Sequence, residues 1–207
     1  EIRLSLVGSE MCIRDRYYIV PARFRNAVLA LGSLLFYWLS AGTGALLVLV
    51  ALILVNFAAG RLIEDAHGDE RRAWLILALA CDVGSLFYFK YMGWFLENLG
   101  RLTNTDFSFF RVALPLGVSF YVFQSIAYVA DVYRGDAEAE RSLLDYAAFQ
   151  AMFPQLVMGP ILRLRDVSAE LHTNRPFSRA AVESGFSLFV VGLGCKVVLA
   201  DQLASLW

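Results

Sequence analysis

Charged side chains are scarce in this sequence. Of its 207 residues, 18% are charged and 58% are hydrophobic, whereas soluble domains carry about 25% charged residues. This scarcity excludes an ordinary water-soluble domain, and the net charge of −1 gives no reason to expect a nucleic-acid partner. We therefore predict a membrane protein.

Cysteine is also rare. Cys12, Cys81 and Cys195 show no CxxC spacing, and two of the three lie in apolar runs, where a thiol behaves as a small hydrophobic group. We predict neither a disulfide nor a zinc site.

The two ends of the chain look unlike the rest. Residues 1–16, "EIRLSLVGSEMCIRDR", have no helical or strand period, and "EMCIRDR" resembles a translated sequencing-transposon end. We interpret residues 1–16 as an artefactual leader, the alternative being a real amphipathic segment. Because Trp207 closes the chain inside an apolar region, we expect a gene truncated at both ends.

Long apolar runs fill the first half of the chain. Ala27–Leu39 and Ala45–Ala59 are joined by the uncharged turn "SAGTG" at 40–44, which predicts a hairpin whose arms are slightly shorter than the roughly 20 residues of a full crossing. Arginines flank the open end of this hairpin, so the positive-inside rule places that end in the cytoplasm. Ala73–Leu96 is predicted to cross outward, and residues 97–111 to form a polar external loop.

Residues 114–135, "LPLGVSFYVFQSIAYVADVYRG", are predicted to form a helix that returns to the cytoplasm. At 100° per residue its polar groups share an arc of about 80°, which we name the polar stripe: Gly117, Tyr121, Gln124, Tyr128 and Asp131. The opposite side carries Val122, Phe123, Ile126 and Val129. Since lipid offers no hydrogen-bond partner, the stripe should face other helices or an aqueous cavity.

Two prolines interrupt the next apolar stretch. Pro154 and Pro160 lie within residues 143–162, where each removes a backbone donor and breaks a helix. A complete crossing would also place the following arginines outside. We therefore predict a re-entrant broken helix, followed by an outward crossing at Ala180–Ala200. The predicted fold is an incomplete all-α, multi-spanning transmembrane helical bundle.

Asp82 and Lys90 are ionisable residues inside the third apolar run and lie eight residues apart. Two helical turns bring them to one side, where they could form an internal ion pair. Alternatively, Lys90 extends its ammonium group toward the membrane surface.

The stretches "LPLGVSFYVFQSIAYVADVYRG" and "FPQLVMGPILR" together resemble the membrane-bound O-acyltransferase family, in its bacterial branch of alginate and polysaccharide O-acetylation proteins. "YYIVPARFRN", "SLLFYW", "FKYMGWFLENL" and "GLGCKVVLADQLA" are similar to further parts of that family. The resemblance covers residues 17–207, which we interpret as the N-terminal part of a single membrane domain. Cys195 stands where the family commonly has a second basic residue beside Lys196.

The resemblance implies an O-acyltransferase, and within this branch an O-acetyltransferase. It would take acetyl from a cytoplasmic donor such as acetyl-CoA, with no bound cofactor and no metal, and deliver it to hydroxyl groups of a cell-surface polysaccharide. It also implies a multi-pass protein of the bacterial inner membrane that works with periplasmic acetylation proteins. The catalytic histidine of the family matches no position in this chain, so we assign no catalytic residue and expect the chain alone to be inactive. His67 and His172 are interpreted as solvated loop residues.

Six side chains are candidates for lining a substrate channel: Tyr121, Gln124, Tyr128, Asp131, Gln155 and Arg163. Arg163 could pair with a phosphate of the acyl donor, or it could lie at the lipid headgroups. For the polar stripe, hydrogen bonding between helices is an equal alternative to substrate contact. The alternative function is a non-enzymatic membrane carrier or channel, in which a polar stripe and a broken helix are equally natural.

Overall fold

A computed structural model describes residues 20–21, 24–103, 114–156, 159, 161–172 and 178–204. All regular elements among these residues are helical. The α-helices are α1 (Arg25–Asp65), α2 (Asp69–Leu86), α3 (Met92–Thr103), α4 (Val118–Arg134), α5 (Leu143–Ala151), α6 (Phe153–Leu156), α7 (Leu164–His172), α8 (Arg179–Gly194) and α9 (Asp201–Ala204). Phe87–Tyr91 and Cys195–Ala200 are π-helical.

Helix α1 is a hairpin of two helical arms. As a straight helix its 41 residues would measure about 60 Å, twice the thickness of a bilayer core. Gly42 breaks the helical backbone with φ +83° and ψ 173°. Asn26 donates a hydrogen bond to Asp145, while the ring of Phe57 lies 6.0 Å from that of Tyr146. Both ends of α1 therefore meet adjacent residues of α5, so the chain reverses at Gly42.

The hairpin confirms the predicted turn within residues 40–44. Farther along the first arm, Ser33 accepts a hydrogen bond from the backbone N–H of Phe153, and Phe36 contacts the ring of Phe153. The first arm of α1 and helix α5 thus run in the same direction.

Gly42→Val is expected to destabilise the hairpin by about 1–2 kcal/mol, because a residue with a Cβ atom is strained at this positive φ. A matched control is Gly44→Val, since a Cβ atom at Gly44 meets no atom within 4 Å. The measurement is thermal unfolding of the chain in detergent micelles. Equal melting temperatures for the two variants would contradict the assigned turn.

The core forms where α1 packs against α2, α4 and α5. Its largest fully buried side chains are mostly aromatic, led by Tyr37, Tyr121, Tyr128, Tyr146 and Phe149. The rings of Tyr128 and Tyr146 are in tilted contact, with their centroids 4.7 Å apart. Through these aromatic contacts the second arm of α1 packs against helices α4 and α5. This packing positions the polar groups described below.

The third apolar run continues as a helix beyond its predicted end. From Asp69 to Thr103 the chain is helical without interruption, through the π-helical segment into α3. The prediction of an external loop from Glu97 onward is therefore wrong as far as Thr103. Arg101 bridges to Glu97 at 2.7 Å, one turn away, and such pairs stabilise a solvated helix end. Residues 104–111 lie outside the described residues.

Within the described part of the chain, three helices are long and apolar enough to cross a membrane: Arg25–Asp65, Asp69–Thr103 and Val182–Leu203. The protein is therefore an all-α membrane protein, as predicted. The contacts divide the chain into two units, residues 1–173 and residues 174–207. Within the second unit, α8, the second π-helical segment and α9 form one continuous helix over the predicted outward crossing. The predicted leader, residues 1–16, lies outside the described residues.

Candidate functional site

The polar stripe of α4 is enclosed by protein. Tyr121, Gln124, Tyr128 and Asp131 are each at most 4% exposed, which confirms that the stripe avoids lipid. The ring of Tyr121 makes an edge contact with Tyr37 of α1.

The opposite side of α4 is also largely enclosed. Val122 and Val129 are fully buried, and of the four residues there Phe123 alone is strongly exposed, at 47%. This side is enclosed because α1, α2 and α5 all contact α4 and surround most of it.

The predicted break in the second half of the first unit is present. Helix α5 ends at Ala151, and Met152 has φ −51° and ψ 114°, two residues before Pro154. A proline ring clashes with the carbonyl four residues earlier, here that of Gln150, so a continuous helix is not tolerated. Pro160 lies outside the described residues. That this segment dips into the membrane and returns stays a prediction.

The break frees backbone groups that polar side chains then satisfy. A continuous helix would bond the carbonyl of Phe149 to the N–H of Phe153. Instead, Gln124 and Gln155 both donate to the Phe149 carbonyl, at 3.2 and 2.9 Å, and the Phe153 N–H turns to Ser33. Two of the six channel candidates therefore meet at one carbonyl, and their amide donors form hydrogen bonds between segments of the fold.

Gly159 lies close to Gln155 after the break. A Cβ atom at Gly159 would lie 2.6 Å from the backbone Cα of Gln155, which is too close for two carbon atoms. This position therefore requires glycine.

Asp131 of α4 and Arg163 form an ion pair. Their nearest atoms are 3.8 Å apart, and the side chain of Asp131 is 5% exposed whereas that of Arg163 is 44% exposed. The second oxygen of Asp131, Oδ2, is buried and accepts no hydrogen bond from the described residues. The pair joins the C-terminal end of α4 to the segment before α7 and leaves one face of the guanidinium accessible.

Arg163→Ala is expected to destabilise the chain by about 1–2 kcal/mol, because it leaves the buried Asp131 carboxylate without its cation. This is less than the cost of breaking a fully buried pair, since Arg163 is half exposed. A matched control is Arg165→Ala, which removes an arginine that pairs with the exposed Asp166. Unfolding by denaturant measures both variants, and an unchanged stability of Arg163→Ala would show that the pair contributes nothing.

Buried polar groups outside the stripe were missed by sequence reasoning. Asn56 donates to Asp82 at 2.8 Å, and both side chains are fully buried. Lys90 is exposed and lies 5.6 Å from the ring centroid of Tyr91. Asp82 is thus paired with Asn56 of α1 and not with Lys90. The signal available in the sequence was Asn56 itself, a single polar residue in a long apolar run.

Gln150 links α5 to α4 beside the polar stripe. Its amide nitrogen donates to the carbonyl of Tyr121 at 2.6 Å and to the hydroxyl of Ser125 at 2.8 Å. The side-chain oxygens of Asn56, Gln150 and Gln155 are buried and accept no hydrogen bond from the described residues. The interior of this unit therefore offers buried acceptor atoms that a polar ligand or water could use.

The two histidines have different environments. His67 lies exposed between α1 and α2, as predicted. His172 is not a loop residue, because it ends helix α7 and contacts Glu140 at 3.5 Å. Its ring nitrogen Nδ1 donates to the carbonyl of Ser168 at 2.8 Å. This hydrogen bond, with the nearby carboxylates of Glu140 and Asp145, raises the pKa of His172 above its usual value.

These features define a helical membrane protein with a polar interior beside a broken helix. Over 91% of its length the chain is 37% identical to "Probable alginate O-acetylase AlgI" of Azotobacter vinelandii. The protein of the same name from Pseudomonas aeruginosa is 36% identical over 92% of the chain. "Peptidoglycan O-acetyltransferase" of Helicobacter pylori is 30% identical over 91% of the chain.

These similarities confirm the predicted resemblance to polysaccharide O-acetylation proteins. The chain spans 38%, 37% and 42% of the length of these three relatives, respectively. No protein-family model matches the chain. No solved structure matches it either.

Proposed function

We propose that the chain is part of a membrane O-acyltransferase that moves an acetyl group to hydroxyl groups of a cell-surface polysaccharide. The observation that carries this proposal is the identity of 36–37% with alginate O-acetylases over more than nine tenths of the chain. Another relative is named for peptidoglycan O-acetylation. The names of these relatives therefore support O-acetylation as the reaction but do not agree on one polysaccharide acceptor.

The donor in this proposal is acetyl-CoA or another acyl carrier that approaches from the cytoplasm. Arg163 is the candidate for its phosphate groups, because a half-exposed guanidinium held by Asp131 keeps further N–H donors free for an anion. Tyr121, Gln124, Tyr128 and Gln155 remain channel candidates. No residue of the chain is assigned as the general base, which in this chemistry takes the proton from the attacking hydroxyl.

The setting proposed is the bacterial inner membrane, with several crossings and with periplasmic acetylation proteins as partners. The arginines flanking the open end of the α1 hairpin support a cytoplasmic location for that end. The acceptor polysaccharide is then reached from the opposite face.

A segment exchange tests the proposal. Residues 24–172 replace the aligned segment of the Azotobacter vinelandii alginate O-acetylase in cells that lack their own copy, and the acetyl content of the alginate is measured. We expect acetylation within about tenfold of that given by the intact relative. The control carries the aligned segment of the Pseudomonas aeruginosa relative, which tests whether the junctions are tolerated.

The proposal fails if the control chimera acetylates alginate while the chimera with residues 24–172, present in the membrane at the same level, does not. That outcome would favour the alternative of a carrier or channel. Substituting Arg163 by glutamine in the active chimera separates donor binding from folding, because a donor-binding role raises the donor concentration needed without lowering the protein level.

A further inference from the structure

Glu140, Asp145 and His172 bring three metal-binding side chains together in the first unit. One potential ligand atom from each lies within 4.8 Å of the other two. Glu140 precedes α5, Asp145 lies in its first turn, and His172 ends α7. We propose that these three residues bind a divalent transition-metal ion of the Zn²⁺ type.

The imidazole of His172 is oriented as a metal ligand. Because Nδ1 donates its hydrogen to the carbonyl of Ser168 at 2.8 Å, the neutral imidazole carries its lone pair on Nε2. Nε2 faces Oε2 of Glu140 at 3.5 Å. Histidines that bind metals commonly fix their second nitrogen on a carbonyl in this way.

Glu140 is a buried carboxylate that faces His172. Its side chain is 7% exposed, and Oε1 accepts the backbone N–H groups of Arg141 and Ser142 at 2.9 and 3.2 Å. The other oxygen, Oε2, faces the imidazole of His172. In the described part of the chain, this imidazole is the basic group within ion-pair distance of Glu140. A buried carboxylate is ordinarily paired or bound to a metal, and a metal ion would supply the charge that a neutral imidazole lacks.

Asp145 is held in place from another helix. Asn26 of α1 donates to Oδ1 of Asp145 at 2.7 Å and to the carbonyl of Leu171 at 2.9 Å. One amide thus fixes the carboxylate of Asp145 and the end of α7 that carries His172. This second layer of hydrogen bonds sets both ligands before an ion arrives.

The ligand types and spacing favour zinc over magnesium or calcium. Mg²⁺ and Ca²⁺ take oxygen ligands, whereas Zn²⁺ accepts imidazole together with carboxylates. Tetrahedral ligands at about 2.1 Å from Zn²⁺ lie about 3.4 Å apart. The distance between His172 and Glu140 already fits. The remaining contraction, from at most 4.8 Å to about 3.4 Å, could come from His172, which is half exposed at a helix end. Three protein ligands leave the fourth position for water.

Titration calorimetry of Zn²⁺ into the purified 207-residue chain in detergent micelles tests the site. All three cysteines are first replaced by serine, because Cys81 and Cys195 are exposed thiols that would bind zinc separately. We expect one saturable Zn²⁺ per chain. His172→Ala is expected to weaken binding at least tenfold, while His67→Ala, which removes the exposed loop histidine, leaves it unchanged.

Two results would overturn the proposal: no saturable binding of one Zn²⁺ per chain, or equal binding by His172→Ala and the starting protein. Asp145→Asn provides a second ligand variant that keeps the acceptor oxygen for Asn26. Circular dichroism of each variant verifies the fold. Neither outcome depends on acetyl transfer, so the metal site and the proposed function are tested separately.

Discussion

Gly60→Ala is expected to destabilise the chain by about 1–3 kcal/mol, the usual cost of overpacking a core. A Cβ atom at Gly60 would lie 2.7 Å from Cε1 and Cζ of the Tyr128 ring and still closer to its hydroxyl oxygen, whereas carbon atoms pack at about 3.5–4.0 Å. Tyr128 cannot move away, because it is fully buried and its ring packs against that of Tyr146. The second arm of α1 would therefore have to separate from α4.

Gly84→Ala is the matched control, since both glycines lie inside helices and a Cβ atom at Gly84 meets nothing within 4 Å. That change should be neutral or stabilising by up to about 1 kcal/mol, through helix propensity alone. A double-mutant cycle with Tyr128→Leu isolates the contact, and the cost of Gly60→Ala should fall in that background. If Gly60→Ala and Gly84→Ala unfold alike in denaturant, the close approach of α1 to α4 is wrong.

Tyr146→Ala is expected to be the most damaging single change, at about 3 kcal/mol or more. The side chain is fully buried, and its ring contacts Phe57, Tyr128 and Phe149 with centroids 6.0, 4.7 and 6.3 Å away. Within a membrane, where helices gain little by avoiding lipid, such packing is a main source of cohesion. Its loss leaves a cavity between α1, α4 and α5 that the surrounding helices can close only in part.

Phe123→Ala serves as the comparison, because it removes an aromatic ring of similar size that is 47% exposed on the neighbouring helix α4. We expect Phe123→Ala to cost less than about 1 kcal/mol in the same denaturant unfolding assay in micelles. Comparable losses for Tyr146→Ala and Phe123→Ala would mean that the aromatic contacts of the core do not hold the helices together.

The local features of the fold could be predicted from the sequence. Apolar runs and arginine positions indicated the hairpin, and "SAGTG" located its turn within residues 40–44. The spacing of polar residues along α4 predicted that the stripe of Tyr121 to Asp131 would be enclosed. A proline within an apolar run predicted the break near Pro154. Each of these depends on residues within a few turns of one another, which is the range over which periodicity carries information.

The partners of the buried polar groups could not be predicted in the same way. The eight-residue spacing of Asp82 and Lys90 allowed an ion pair, but Asp82 pairs with Asn56 on another helix. His172 was interpreted as a solvated loop residue from its polar neighbours, whereas α7 brings it to Glu140, 32 positions earlier in the chain. Helical periodicity indicated which residues of α4 share a face, but not that three helices surround it.

Composition, run length and motif by themselves determined that this is a helical membrane protein related to polysaccharide O-acetylation proteins. Each hydrophobic segment can be recognised by itself, because the cost of placing polar groups in lipid applies to every segment separately. Only the tertiary structure decided that Gln124 and Gln155 share the carbonyl of Phe149 and that Asn26 bonds to Asp145, 119 positions away. Such contacts depend on how helices pack around one another, and the pattern within a single helix does not specify its neighbours.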